Sequence, residues 1–574
     1  MLKYSILFLS FLLSSNIYTQ KLTWKWGITN KGQSGEVFEK MIIDHDQNIL
    51  ISGIFFEGDF QHCNADGFAD EYHIHIFISK LNSQGNCLWS KTILAEYPNN
   101  PTITNDSENN IYLTGTYFGE FKVDNVDLST DFKNPQSYII KLDPDGNLIW
   151  YKLFKVKDPL REGILIYNIE VNQNDNIYLL GSISSSKLIS DSFSLSRSPI
   201  INGSAATFLI KLNTSGTVEW GIISEGNCHE EPFDIEFDND GLPIISGSYG
   251  FNLNKNLHMR FDTVALPLDQ NDANIFIYKF DQAGKVIFGK AIGGPAEERG
   301  AYIAFDKDNN IYLSGTFNGK YFVFANDTFW GQEPPGNLSL KYLLLKLDPN
   351  GKEIWANSFW LGFPFITFYS LQTDEKNNIY LHLMFSEDKV KIGNTTLRLK
   401  GEYDNLLLKY SPNNELLYAF PYGTSKVDLA IDIHVIKEDE IILAGNFTDK
   451  QLILGKDTLI NEGINIGHGM PDNIFIAKLS MDTATGTFNP FYSDIKVYPN
   501  PADDELMIDL GSILKTNKIP EIKLINLEGK SLNIIPVRKN DLWQINTSSI
   551  PDGMYILQVK GITEDIKNRI IINH

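Results

Sequence analysis

The chain has 574 residues, of which 43% are hydrophobic, 12% aromatic and 21% charged, enough apolar mass for packed cores under a polar surface. Its formal charge is −22, which repels phosphate backbones and argues against nucleic acid as a partner. No stretch approaches eighteen consecutive apolar residues, so no transmembrane segment is expected.

The N-terminus reads Met1-Leu2-Lys3-Tyr4, then an apolar run from Ile6 to Leu13, then Ser14-Ser15-Asn16. A basic start and a short apolar core are the features of a secretory signal peptide, expected over residues 1–19. No Cys follows the run, so a lipoprotein anchor is not indicated. Three cysteines in an exported chain permit one disulfide and one leftover thiol. Cys63 and Cys87, in the same repeat, are the favoured pair over Cys228.

Between residues 22 and 487 one pattern recurs every 61 to 70 residues. Its clearest half is a Lys, a Gly or Asn five positions on, and an aromatic four further. It reads Lys80-Gly85-Trp89, Lys141-Gly146-Trp150, Lys211-Gly216-Trp220, Lys279-Gly284-Phe288, Lys346-Gly351-Trp355 and Lys409-Asn414-Tyr418. A fixed offset across Gly, as in Asp143-Pro144-Asp145-Gly146-Asn147, is what a tight hairpin needs, because Gly accepts positive φ. The other half is Asn-Ile-Tyr-Leu-x-Gly, ending at Gly53, Gly115, Gly181 and Gly315, with degenerate copies ending at Gly247, Leu383 and Gly445. Period-two alternation with aromatic and β-branched residues predicts strands, and no amphipathic helix is evident.

Each unit therefore reads as four strands: a, turn, b, long link, c, tight turn, d. Four strands at a fixed period predict a β-propeller. In these motifs the repeats resemble bacterial propeller repeats of the SBBP type, which implies architecture and no particular activity. The seventh unit has a strand c at Ile474 to Leu479 but Thr487 where the aromatic should be. Leu22-Thr23-Trp24-Lys25-Trp26 reads as a strand d without its a, b and c. The expectation is seven blades over residues 20–489, the last closed by the N-terminal strand, which hides two sheet edges.

The links from strand b to strand c are long and carry a second pattern, as in Val390 to Leu397 and Leu452 to Leu459, which predicts an extra hairpin. Long loops on a rigid scaffold point to the face bearing the b–c and d–a connections as the binding face. In the first such link His62, His73 and His75 stand beside Cys63, Asp66, Asp70 and Glu71 as weak metal-ligand candidates. None shows zinc-motif spacing, and a polar surface loop is the preferred reading. Asp306-Lys307-Asp308-Asn309-Asn310 and its relatives invite calcium, but Asp and Asn favour such turns without an ion. The Lys of strand c, from Lys80 to Lys478, is expected to bury its stem and pair with an Asp of a neighbouring blade. Glu230-Glu231 and Glu297-Glu298 are read as part of the d–a connections. No nucleophile, phosphate-loop or dinucleotide motif occurs, so no catalytic residue is assigned and no cofactor is expected.

Residues 490–574 carry eleven acidic and ten basic side chains, so nearly all the negative charge lies upstream. Strand-like runs Leu506–Leu510, Ile522–Asn526, Leu542–Ile545 and Tyr555–Val559 predict a small Ig-like sandwich. Val497-Tyr498-Pro499-Asn500-Pro501, then Ile522 to Gly529, then Ile545 to Val559 with Pro551, Gly553 and Tyr555, closely resemble the type A C-terminal sorting domain of the type IX secretion system of Bacteroidetes. The resemblance implies recognition by that machinery and delivery through the periplasm to the outer surface or beyond. The matching positions are Pro499, Asn500, Pro501, Gly529, Pro551, Gly553 and Tyr555. The chain thus reads as all-β: an exported, surface-attached, non-catalytic seven-bladed propeller that binds a protein or glycan, followed by a sorting domain. The alternative is an extracellular glycan- or peptide-active enzyme using the long-loop face.

Overall fold

The computed structural model describes residues 20–572, apart from 33–34, 64, 132–134, 158–162, 198–203, 251–257, 268–272, 295–296, 332–339, 363–369, 394, 439, 463–472, 484–495, 499–501, 510–519, 527–529, 533, 540–541 and 561–565. The expected signal peptide lies outside the described residues. Two compact units emerge, Leu22–Met481 and a second containing residues 482–574.

The first unit is built from antiparallel four-stranded sheets in the order a-b-c-d. Sheet 1 comprises Gly35–Ile43, Ile49–His62, Ala65–Leu81 and Cys87–Ala95; sheet 2 Asn99–Asn105, Ile111–Tyr117, Gln136–Leu142 and Leu148–Val156. Sheet 3 comprises Ile164–Val171, Ile177–Ile183, Ala206–Leu212 and Val218–Ile223; sheet 4 His229–Phe237, Pro243–Gly250, Asn274–Phe280 and Val286–Ile292. Sheet 5 comprises Glu297–Phe305, Ile311–Asn318, Lys341–Leu347 and Glu353–Phe359; sheet 6 Ser370–Thr373, Ile379–Phe385, Asp404–Tyr410 and Leu416–Tyr422. Sheet 7 comprises Asp428–Lys437, Glu440–Phe447, Asn473–Thr483 and, as its outer strand, Gln20–Thr29. The a strands of these seven described sheets touch in cyclic order, with that of sheet 7 against that of sheet 1. This is the architecture of a β-propeller, with a innermost and d outermost.

A separate apolar cluster fills each junction between neighbouring sheets, which explains why strands b and c are buried on both faces. The junction of sheets 7 and 1 is no exception: Ile442, Ala444, Ile474 and Ile476 meet Phe38, Met41, Ile51 and Phe77 there. The outer strands are joined by a repeated contact. Trp89 lies over Gly146 in the c–d turn of the next sheet and donates its indole N–H to the Pro144 carbonyl at 3.0 Å. Gly146 has φ of 86°, and an added Cβ would meet the ring at 3.2 Å, so both backbone and neighbour require Gly. Trp150, Trp220 and Trp355 donate in the same way to Thr214, Gln282 and Pro412. Trp26 of the N-terminal strand lies over Gly85 of sheet 1.

The strand-c Lys corrects one expectation. Lys80, Lys141, Lys279, Lys346 and Lys409 pair with Asp44, Asp106, Asp238, Asp306 and Asp374, each in the a–b turn of its own sheet rather than a neighbour's. Residues 44 to 48 and their equivalents form the turn beside strand c, so the Lys meets its own turn first. Asp306 also accepts from the backbone N–H of Asp308 and Asn310, from the Asn310 amide and from the Tyr312 hydroxyl. Asn172 stands where the Asp would be in sheet 3, and there Lys211 pairs with Glu219 instead. Sheet 7 lacks this Asp too, and Lys478 pairs with Glu440.

The extra hairpins form as expected at Lys389–Ile392 with Thr395–Arg398 and at Gln451–Leu454 with Asp457–Ile460. They lie against the outer strands. Phe121–Val123 pairs with strand d of sheet 1, and Lys187–Ser190 with strand d of sheet 2. Phe193 of the latter hairpin packs on Gly221 of its own strand d. Sheet 1 differs: strands b and c run on to His62 and from Ala65, with no separate hairpin.

The second unit is a sandwich. One sheet holds Lys496–Tyr498, Glu505–Asp509, Leu542–Asn546 and Val537–Lys539; the other holds Glu521–Asn526, Gly553–Lys560 and Ile566–Ile572. Leu506, Ile508, Leu524, Ile545, Leu557, Val559 and Ile570 form its core.

Replacing Asp306 with Ala strips Lys346, Tyr312 and the turn of a common acceptor, and the expected loss of stability is about 3–5 kcal/mol. Asp306→Asn, which copies the native Asn172, is expected to cost clearly less. Urea unfolding followed by tryptophan fluorescence measures both; equal losses would contradict the role given to the carboxylate.

Candidate functional site

The inner strands of sheets 1 to 5 and 7 are each interrupted by a β-bulge at nearly the same level, at Glu39, Tyr167, Phe233 and Ile431 among others. A bulge turns the next side chain and leaves backbone groups free for partners outside the sheet. The residues that follow are Lys40, Asn168, Asp234, Tyr302 and Asp432. They build a belt across the sheets. Asn168 donates to Asp234 at 2.8 Å, Asp234 accepts the Ile303 N–H at 2.8 Å, Ser370 donates to Asp432 at 3.0 Å and Asp432 accepts the Met41 N–H at 3.1 Å. One level along, Thr104 donates to Glu170 and Gln372 accepts the Val435 N–H.

Lys40 lies within this belt. Burial alone would lower the pKa of its amine, but the charges of Asp432, Glu170, Asp234 and Glu236, from sheets 7, 3 and 4, raise it above the usual lysine range. Its charge registers on carboxyls of several sheets at once because the inner strands converge there. Burial pushes Glu170 up to about 7 against the opposing charge of Lys40, and Asp234 up to about 6. Glu236 is raised well above the carboxylate range by burial and by Glu170. Burial raises Glu39 to about 7 and lowers His434 to about 4. Lys40, Glu170 and Glu236 remain partly accessible to solvent although protein surrounds them, as expected for groups lining a narrow channel. Chemically, this is a set of carboxyls poised between charged and neutral forms around one cation.

The sequence reading missed this belt. A signal for it exists: each member stands thirteen positions before the strand-b Gly or its counterpart, as Lys40 before Gly53 and Asp234 before Gly247. The side-chain types differ from sheet to sheet, so the column escapes a search for repeated residues.

The residues that the sequence singled out are placed elsewhere. His62 is buried, 2.8 Å from Ser79 Oγ, and burial lowers its pKa to about 4. His75 lies beside the Phe55 ring, and the side chain of His73 is outside the described residues. Among the described residues no group of three His, Cys, Asp or Glu could hold a metal ion. Cys63 and Cys87 are joined, with Cα atoms 5.4 Å apart, and Cys228 is a buried thiol. The oxygens of Asp143, like those of Asp306, are occupied by their own turn. Glu230-Glu231 and Glu297-Glu298 belong to a strands, not to d–a connections. Glu230 is buried, accepts from Thr207 N–H and Ser224, and is pushed up to about 7 by burial.

In the sandwich, Tyr555 Oη donates to the Pro551 carbonyl at 2.7 Å, with Gly553 between them. The Asn526 N–H donates to the Lys530 carbonyl, and the Lys530 N–H to Asn526 Oδ1. Pro499, Asn500, Pro501 and Gly529 themselves lie outside the described residues.

Raised carboxyl pKa values mean that the folded chain binds protons more tightly than the unfolded one, so their stabilising contribution is present in mild acid and lost as pH rises through about 6 to 7. Thermal midpoints are expected to fall from pH 5.5 to pH 8. Lys40→Met removes the opposing charge and is expected to cost about 1–3 kcal/mol at pH 8, a buried-pair loss discounted for solvent access, and less at pH 5.5. Equal losses at both pH values would contradict the assignment.

Residues 496–573 match a family described as Secretion system C-terminal sorting domain. An uncharacterized WD repeat-containing protein of Acanthamoeba polyphaga mimivirus is 22% identical over 506 residues, covering 71% of this chain and 35% of that protein. The chain therefore spans about a third of that relative's length. Among solved structures, polysaccharide lyase Uly1 aligns with TM-score 0.38 and 11% identity over 77% of this chain and 90% of its own. A phage phi92 endosialidase aligns with TM-score 0.33 and 10% identity over 96% and 88%. These likenesses are distant, and the fold assignment rests on the sheet order. A sorting domain of this kind interacts with the type IX secretion system and directs export through the periplasm to the cell surface or the extracellular space. The tail of this all-β chain is such a domain, of the kind found in Bacteroidetes.

Proposed function

We propose that the chain is an exported, non-catalytic β-propeller scaffold that binds an extracellular protein or glycan, held at the cell surface after delivery by its tail. One observation supports a scaffold over an enzyme. The carboxylates of Asp234 and Asp432, central in the belt, are committed to strand-to-strand hydrogen bonds. Asp234 accepts from Asn168, Ile235 and Ile303, and Asp432 from Ser370, Ile433 and Met41. They serve as ties between sheets, their oxygens occupied by donors of the chain itself and not turned to a substrate. The outer rim offers a surface of another kind. Leu88, Ile149, Ile287, Ile354 and Leu417 are exposed at the same place in strand d of their sheets, beside the aromatic.

The second reading, an extracellular glycan- or peptide-active enzyme, draws on Glu170 and Glu236. Both are partly accessible, with raised pKa values, and raised carboxyls in a cleft suit general acid catalysis. In that reading the chemistry would lie in the channel mouth.

Screening the exported protein on a glycan array, with and without chelator, separates the two. The scaffold reading expects retained binding and no product, unchanged in Glu170→Gln. Turnover that is lost in Glu170→Gln would replace it with the enzyme reading. Deleting residues 490–574 is expected to abolish surface display while the circular dichroism of the remaining body stays that of a folded β protein. Continued display would refute the division of labour.

A further inference from the structure

A second polar cluster lies away from the central belt, where sheet 6 meets sheet 7. Tyr403 and Val427 form an isolated parallel bridge, so the residues that follow, Asp404 and Asp428, stand side by side. Both are 0% exposed. Asp404 Oδ2 accepts the Lys400 N–H at 2.6 Å, and Asp428 Oδ2 accepts the Thr424 N–H and, at 2.9 Å, the Thr424 hydroxyl. The Oδ1 atom of each has no hydrogen-bond partner among the described residues. Gly423 lies between them: a Cβ placed there would be 2.6 Å from Asp404 Oδ1 and 2.9 Å from Asp428 Oδ2. The unpartnered Oδ1 of Asp404 and the Oδ2 edge of Asp428 therefore border the same point beside Gly423, which holds no side chain.

Two carboxylates brought together out of water cannot both be charged without a large penalty unless a cation lies between them. The groups around the pair supply none in the buried space. Strand d of sheet 6 contributes Tyr422, whose hydroxyl is 2.9 Å from His382 Nε2 on strand b, and burial holds that imidazole neutral at about 3. The link to sheet 7 contributes Thr424, Ser425 and Lys426, the last exposed and paired with exposed Glu402. Asp449, which accepts from Ser425, adds a further negative charge. Lys400 is exposed.

We propose that Asp404 and Asp428 hold one proton between them, forming a pH-sensitive clasp between sheets 6 and 7. With the proton bound, the protonated carboxyl donates to the facing carboxylate beside Gly423, where no side chain intervenes. Raising the pH releases that proton to solvent and leaves two buried like charges that repel across the junction. Burial, with the charges of Asp404 and Asp449 added, pushes Asp428 up to about 7, and burial raises Asp404 against the opposing charge of Lys400, which agrees in direction. The clasp is closed in mild acid and opens as pH rises through neutrality. It is the junction next to the one closed by Trp26, and Trp24 of the N-terminal strand already lies against Phe420 and Tyr422 of sheet 6 there.

Full-length wild type, Asp404→Asn and Asp428→Asn are compared by thermal unfolding between pH 6 and 8.5. An amide donates permanently to the remaining carboxylate, so each variant is expected to melt several degrees above wild type at pH 8.5 and to show a shallower pH dependence. Infrared difference spectra, wild type minus variant, are expected to show at pH 6 a protonated-carboxyl band that weakens by pH 8.5; the raised carboxyls of the central belt cancel in the difference, and either variant serves if the other fails to fold. Unchanged pH slopes in both variants, or no such band at pH 6, would overturn the proposal. So would a wild-type midpoint at pH 8.5 raised by millimolar calcium or magnesium chloride and restored by chelator, because a cation and not a proton would then join the pair.

Discussion

The structure depends on one contact repeated at the outer junctions from that of sheets 7 and 1 round to that of sheets 5 and 6: an aromatic from strand d laid over the c–d turn of the next sheet. The ring needs a flat surface, so the turn carries Gly; the turn has a spare carbonyl, so the ring carries an indole N–H. Trp89 over Gly146 shows both halves. Neighbouring sheets are otherwise held by apolar side chains, which are strong but indifferent to exact placement. The indole bond adds direction, and the rigid turn sets how far apart successive sheets stand. Trp26 likewise lies over Gly85, which places the N-terminal strand in the series although about 400 residues of chain separate it from the rest of its sheet.

The other joints follow a similar logic at smaller radius. In sheets 1, 2, 4, 5 and 6 the a–b turn is fixed by an Asp that gathers two backbone N–H groups and a Lys, joined in sheets 2, 5 and 6 by a Tyr hydroxyl. At the centre the bulged inner strands exchange hydrogen bonds through Asp, Asn and Ser. The polar groups thus lie where strand geometry leaves unpaired partners, and the hydrophobic groups lie where two sheet faces meet. That division explains an acidic protein with buried carboxyls: they occupy sites where backbone donors converge and water does not reach.

How much of this the sequence disclosed depended on repetition. The Lys-to-aromatic spacing and the Asn-Ile-Tyr run recur with little change, so the strands, the turns and the extra hairpins were legible. The tail motifs were legible for the same reason, as a fixed order of Pro, Gly and Tyr. Lys pairing was misassigned because the sequence gives the spacing along the chain and not the distance across a hairpin, which brings Asp106 to Lys141 within one sheet. The central belt was hidden because its column holds Lys, Asn, Asp and Tyr in turn. Glu230 and Glu298 were placed in connections because a charged pair before an alternating run looks like a loop until the bulge and the preceding sheet supply partners.

Function is concentrated at the two scales that repetition does not record. The tail addresses the protein to the outside, and the nonrepeated groups at the centre and at the junction of sheets 6 and 7 make the body sensitive to protons. The central claim is that the body is a ring whose last sheet is completed by the strand Gln20–Thr29. Differential scanning calorimetry of fragments 20–489 and 30–489 tests it most directly. The account predicts one cooperative transition near that of the whole body for the first, and a much lower midpoint or none for the second. Indistinguishable transitions in the two fragments would contradict it.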